Sequence, residues 1–170
     1  WGRLGDMADF APAFPGRRLV VVRHVRQDDL GATVIKDTSA EATAALVLRA
    51  VRALGVELTP EIATGLLTGI AMDTGWFRHP STRPDTLRDT AELVEAGARI
   101  DRIYRDLFER NTLARLTMMG ESLVGLKTDL DGRIVYSAVT REDFERTGAI
   151  PADTEDLVDF TMSVRGAEVG

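Results

Sequence analysis

The sequence predicts a helix-rich α/β protein. Three observations carry that expectation. Leu19-Val20-Val21-Val22 is a short, wholly apolar, β-branched run, the pattern of a parallel strand covered on both faces. From Ser39 to about Leu123 the apolar residues recur at helical spacing, broken by helix starts and stops. After Gly125 the period shortens again and reads as a hairpin.

The elements follow in order. Leu4, Met7, Ala8 and Phe10 fall partly on one face of a short helix over 3–10, ended by Pro12 and Pro15-Gly16. The Leu19–Val22 strand comes next, then a loop carrying Asp28, Asp29 and Gly31, then a second strand at Thr33-Val34-Ile35. A helix follows over 39–54, with Asp37 or Ser39 as its cap and Gly55 as its stop. Thr59-Pro60-Glu61 is a strong start: a capping hydroxyl, a proline at the first helical position and an acid at the positive end of the dipole. That helix ends near Asp73-Thr74-Gly75. Arg83-Pro84-Asp85 opens another that runs to Gly97, and 99–109 and 112–123 are further amphipathic helices. Leu126 to Val139, with Asp131-Gly132 at its centre, suits a hairpin with a type I′ turn. Thr140-Arg141-Glu142-Asp143 starts a short helix, Thr154 to Val164 forms the last, and Ala167-Glu168-Val169 opens a strand. The domains expected are a partial α/β domain over 1–110, a linker helix over 111–125 and a partial smaller α+β domain over 126–170. Neither sheet is complete on this count, so open strand edges predict self-association.

Composition narrows the function classes. The 170 residues suffice for one domain, or for one and part of another. Aromatics are only 6%, so Ala, Leu and Val must build the core. With 21 Lys and Arg against 27 Asp and Glu, the net charge of −6 disfavours unselective polyanion binding. The absence of cysteine excludes disulfides, thiolate-bound zinc and a cysteine nucleophile, and fits a cytoplasmic protein. No apolar run reaches the roughly 20 residues that span a bilayer, and no leader is visible at an N-terminus that begins without Met.

Four residues stand out as candidates. Asp73 is an acid closing an apolar helix, either a plain helix-end residue or a ligand for a hard divalent cation. His24 follows the first strand directly, where α/β sheets place their ligands; a histidine satisfied by a loop carbonyl is the plainer reading. Arg78 and His79 lead a hydroxyl-rich loop, completed by Ser81, Thr82 and Arg83, that enters a helix N-terminus. Such a loop can hold phosphate, or simply be exposed. Trp76 and Phe77 could stack a base or cover the core. Arg49, Arg52, Arg102, Arg105, Arg110 and Arg115 read as solvated helix faces, and Met118-Met119 as core.

Taken together, several stretches resemble the DHH-family phosphoesterases. They are Gly69-Ile70-Ala71-Met72-Asp73-Thr74-Gly75-Trp76-Phe77-Arg78, the continuation from Ser81 to Leu87 and from Leu93 to Ala98, Ile35 to Thr43 upstream, and Leu107 to Asn111 and Asp153 to Val158 downstream. The resemblance covers nearly the whole chain. It implies a two-lobed hydrolase with two manganese ions in its α/β lobe, acting on short oligonucleotides or 3′-phosphoadenosine phosphate (pAp). Two cations would lower the pKa of a bridging water and neutralise charge at phosphorus. Asp73 matches the family's last metal-binding Asp, and His24 the second His of the Asp-His-His triplet; Arg78 and His79, from the phosphate-holding loop, are the expected substrate-binding residues. Val22 and Arg23 stand where the Asp and first His belong. The earlier acidic motifs and the glycine- and histidine-rich motif of the second lobe are absent, as though the chain were truncated at both ends. The expectation is therefore a relative that has no catalytic residue set of its own, does not hold manganese stably and is inactive by itself. The alternatives are a non-catalytic binding or self-assembly module on this fold, with Val22, Arg23 and Arg26 as deliberate changes, and an enzyme completed by another chain.

Overall fold

The computed structural model describes residues 15–24 and 32–170. The expected helix over 3–10, the Asp28-Asp29 loop and Arg26 lie outside the described residues. The chain divides into two compact units, one ending at Tyr104 and one running from Arg105 to Gly170.

In the first unit β1 (Leu19–Val22) pairs in parallel with β2 (Thr33–Lys36), Leu19 opposite Thr33 and Val22 opposite Lys36. The expected burial on both faces is not observed. β1 is mostly half-buried and β2 is exposed, Val34 at 41% and Ile35 at 46%. The reason is the width of the sheet: two strands leave an outer edge on each side among the described residues.

Four helices follow: α1 (Thr43–Ala53), α2 (Pro60–Asp73), α3 (Pro84–Glu95) and α4 (Ile100–Phe108). α1 begins after Ala42 without a side-chain cap, because Asp37 is engaged elsewhere. Its carboxylate accepts from the Ser39 backbone N–H at 2.9 Å and hydroxyl at 2.6 Å, and from Arg49 at 3.0 Å, making a local turn before the helix. α2 starts as its sequence demands: the Thr59 hydroxyl accepts from the Ile62 N–H, and Pro60 takes the first helical position. The core is small-residue and aliphatic, with Ala45 and Leu48 of α1, Ala63, Leu67 and Ile70 of α2, Leu93 of α3 and Ile103 of α4. α1 and α2 approach closely: a Cβ on Gly69 would sit 2.8 Å from the Ala44 methyl. Truncating a residue such as Leu67 here would cost about 2–5 kcal/mol.

In the second unit α5 (Leu113–Val124) is capped by the Thr112 hydroxyl, which accepts from the Arg115 N–H. β3 (Lys127–Asp129) and β4 (Ile134–Tyr136) form the hairpin, Asp129 opposite Ile134. Its turn is longer than the two-residue type expected. Asp131 and Gly132 have the positive φ of that type, but Leu130 also turns left-handed at φ 47°, its N–H held by the Asp129 carboxylate at 2.7 Å. α6 (Arg141–Thr147) carries a reciprocal cap: Asp143 accepts from the Thr140 N–H and hydroxyl, and Thr140 from the Asp143 N–H. The expected last helix is split into a 3₁₀ turn at Pro151–Thr154 and α7 (Leu157–Met162), because Asp156 adopts φ 69° between them. Val169 makes a single parallel bridge to Ile134, the tip of the expected strand. Met118, Ala149 and Leu157 form this unit's core, with Phe144 and Phe160 against it. Among the described residues no helix is long and apolar enough to cross a membrane.

Three of the arginines expected on solvated faces also tie segments together, Arg49 and Arg52 while remaining exposed. Arg49 bonds Asp37, Arg52 of α1 bonds Asp89 and Glu92 of α3, and Arg115 of α5 reaches the Ala152 and Glu155 carbonyls. The Glu92 and Asp89 carboxylates hold the Arg52 guanidinium well above its ordinary value.

Candidate functional site

Asp73 is the last residue of α2, and that position sets an electrostatic problem. A helix C-terminus presents unpaired carbonyls and a partial negative charge, so a carboxylate there needs a cation. The last turn of α2 holds no basic residue. The cation comes from β1: Arg23, the residue after Val22, places its Nε 3.3 Å from Asp73 Oδ2. Both side chains are partly exposed, 28% and 40%. The contact is an ion pair without hydrogen-bond alignment, since Arg23 Nε is buried and makes no aligned hydrogen bond. His24, next in the chain, is half-buried at the same strand end.

Beyond Asp73 the chain turns back on itself through three consecutive left-handed residues, Gly75 at φ 55°, Trp76 at 58° and Phe77 at 65°. For tryptophan and phenylalanine that conformation is strained, and it persists because hydrogen bonds over-determine it. The buried Thr74 hydroxyl donates to the Ile70 carbonyl at 2.8 Å and accepts from the Phe77 N–H at 3.1 Å. The Trp76 N–H reaches the Ala71 carbonyl, and the His79 N–H reaches the Thr74 carbonyl at 3.0 Å. Trp76 then meets Tyr104 edge-on with ring centroids 5.1 Å apart, and packs on the core, as does Phe77.

The turn folds Arg78 and His79 back toward Gly75. Arg78 Nε donates to the Gly75 carbonyl at 2.8 Å. The His79 ring lies over Gly75 so closely that a Cβ there would stand 2.3 Å from its Nε2. Glycine is needed for this approach as well as for the positive φ.

The loop into α3 is fixed by a residue that was not a candidate. Glu41 lies just before α1 and is only 2% exposed. Its carboxylate accepts from the buried Thr86 hydroxyl at 3.0 Å and from Arg83 at 3.2 Å, and Arg49 stands at 3.9 Å. Thr86 in turn accepts from the Arg83 N–H, so the first turn of α3 is tied to the start of α1. The carboxylate also sits near the positive end of the α3 dipole. Its sequence signal is its place within the Ile35 to Thr43 stretch that carries the family resemblance. The second unit holds a cleft of about 380 Å³ whose lining includes Ser122, Tyr136, Ser137, Phe144 and Thr161, with the Ser122 and Ser137 hydroxyls 2.8 Å apart. No motif pointed to it.

The structure therefore brings Asp73 to Arg23 and gathers Arg78 and His79 around Gly75. The manganese pair implied by the resemblance does not suit these side chains. Val22 offers no donor atom, and the guanidinium beside Asp73 is itself a permanent cation facing an oxygen a metal would use.

No family model matches the chain. The bifunctional oligoribonuclease and PAP phosphatase NrnA of Thermus thermophilus is 34% identical over 146 residues, 86% of this chain and 43% of the relative. An A-adding tRNA nucleotidyltransferase of Aquifex aeolicus is 28% identical over 72% of this chain and 15% of its own length. Among solved structures, an exopolyphosphatase-related protein from Bacteroides fragilis superposes with a TM-score of 0.89 at 27% identity, covering 98% of this chain and 49% of that one. The chain thus spans about half the length of the NrnA relative and of the exopolyphosphatase-related protein.

Proposed function

The chain belongs to the DHH phosphoesterase family, and on that footing we propose that it is a non-hydrolysing member whose ancestry lies in the cleavage of short oligonucleotides or pAp. The observation that supports the loss of turnover is the Arg23–Asp73 ion pair, which puts a guanidinium where the family chemistry needs a dication. The residues that would meet a phosphate ester in this reading are Arg78 and His79, held against Gly75 by the left-handed turn. His24 and Asp73 are what this chain retains of the metal ligands.

The test is hydrolysis of bis-p-nitrophenyl phosphate and of pAp by the purified chain with manganese. No turnover is expected of this chain, nor of the double revertant Val22→Asp with Arg23→His, whose restored side chains join only His24 and Asp73 as candidate metal ligands. Robust turnover by either protein would overturn the proposal.

A second reading, self-assembly, is favoured by one observation: Leu19, Val34 and Ile35 expose apolar surface on a two-stranded sheet. A concentration-dependent dimer or trimer in size exclusion would support it, and a monomer at high concentration would count against it.

A further inference from the structure

We infer that Arg23 is a built-in counter-ion that takes the place of a divalent cation at Asp73, so that removing it uncovers a latent cation site. The inference deepens the reading above and rests on it. Asp73 ends α2 at the negative end of the helix dipole, with no basic residue in the last turn, so its charge is balanced from elsewhere in the fold. Arg23 balances it from the end of β1. The reverse also holds: the buried Arg23 Nε has no aligned hydrogen-bond partner, and Asp73 is the anion within ion-pair distance of it. A guanidinium cannot lose its proton to make room for a metal, as a lysine or histidine can. A dication approaching Asp73 therefore meets a fixed like charge within a few ångströms, at a site screened by protein on one side. The counter-ion keeps the end of α2 electrically satisfied whether or not metal is present.

The probe is Mn²⁺ alone, followed by the electron paramagnetic resonance signal of the free ion, with the 170-residue wild type, Arg23→Gln, Asp73→Asn and the Arg23→Gln/Asp73→Asn pair. Arg23→Gln should bind one ion about tenfold or more tighter than wild type, as expected for removing one adjacent positive charge. The double variant should lose that gain, and Asp73→Asn alone should bind as wild type does. Equal binding by wild type and Arg23→Gln, or a gain that survives loss of Asp73, would overturn the inference. If Arg23→Gln does not fold by circular dichroism, wild type against Asp73→Asn decides: equal binding supports the counter-ion, and Asp73-dependent binding by wild type refutes it. Turnover of pAp without Asp73-dependent binding would sink the proposed function and leave the counter-ion standing. Asp73-dependent binding by wild type without turnover would do the reverse.

Discussion

Two carboxylates of the first unit each meet an arginine, and they could hardly be held more differently. Glu41 is 2% exposed and accepts from the Thr86 hydroxyl and Arg83. Asp73 is 40% exposed, and its close cation among the described residues, Arg23, is not aligned for a hydrogen bond. Glu41 lies near a helix N-terminus and Asp73 at a helix C-terminus, so the helix dipole favours the first charge and opposes the second. This fold keeps its rigidity at Glu41 and tolerates exchange at Asp73. A buried, multiply bonded carboxylate is structural cement for two helices. A half-exposed one at the wrong end of a dipole is a place where one cation can substitute for another at little cost to the fold.

The largest expected effect is on the rigid side. Glu41→Ala should lower stability by about 2 kcal/mol, because it leaves the buried Thr86 hydroxyl without its acceptor and releases the first turn of α3. Urea unfolding measures it, and a loss no greater than that of a surface substitution would erase the contrast. Next comes the turn between the two regions. Gly75→Ala should cost about 1–2 kcal/mol from its positive φ, with more from the His79 ring. His79→Ala in the same chain should recover the steric part and leave the φ part. Full recovery would show that φ is not strained there.

Asp73→Asn should be nearly silent, within about 0.5 kcal/mol, since an exposed pair contributes little and the substitution also removes an unfavourable dipole interaction. A cost matching that of Glu41→Ala would mean that the Arg23 pair is as integral as the buried cluster.

The smallest effect expected is on acid stability. The Ser39 hydroxyl and N–H hold the Asp37 carboxyl below its ordinary value, and the Thr140 N–H and hydroxyl do the same for Asp143. Because these native values are depressed, the stabilisation is complete above the ordinary aspartate value of about 3.9 and is lost as pH falls through the lower native ones. Melting temperature should therefore decline on acidification below about pH 4, and Asp37→Asn or Asp143→Asn should flatten the decline. An unchanged slope in both would contradict the assignment.

What could be read in advance follows the same division between local and distant causes. The start of α2 was legible because Thr59, Pro60 and Glu61 carry their reasons within one turn, and so was the Thr140–Asp143 cap. The start of α1 is not legible locally, because Asp37 and Ser39 satisfy each other before the helix begins. Gly75 announced a turn, but nothing local announces left-handed Trp76 and Phe77. That conformation depends on the Thr74 hydroxyl and on packing against Tyr104. Asp73 and its turn were legible as a motif, and Arg23 as a departure from one, yet their pairing is a tertiary fact, as is the joining of Glu41 to Thr86. The strand pair was placed correctly but expected to be buried, because a short apolar run says nothing about how many strands lie beside it.

The most direct test of the central claim is a crystal structure of the chain grown with manganese, with diffraction collected at the manganese absorption edge. The Arg23 guanidinium is expected against the Asp73 carboxylate, with no anomalous peak beside it. A peak ligated by Asp73, with Arg23 swung away, would contradict it.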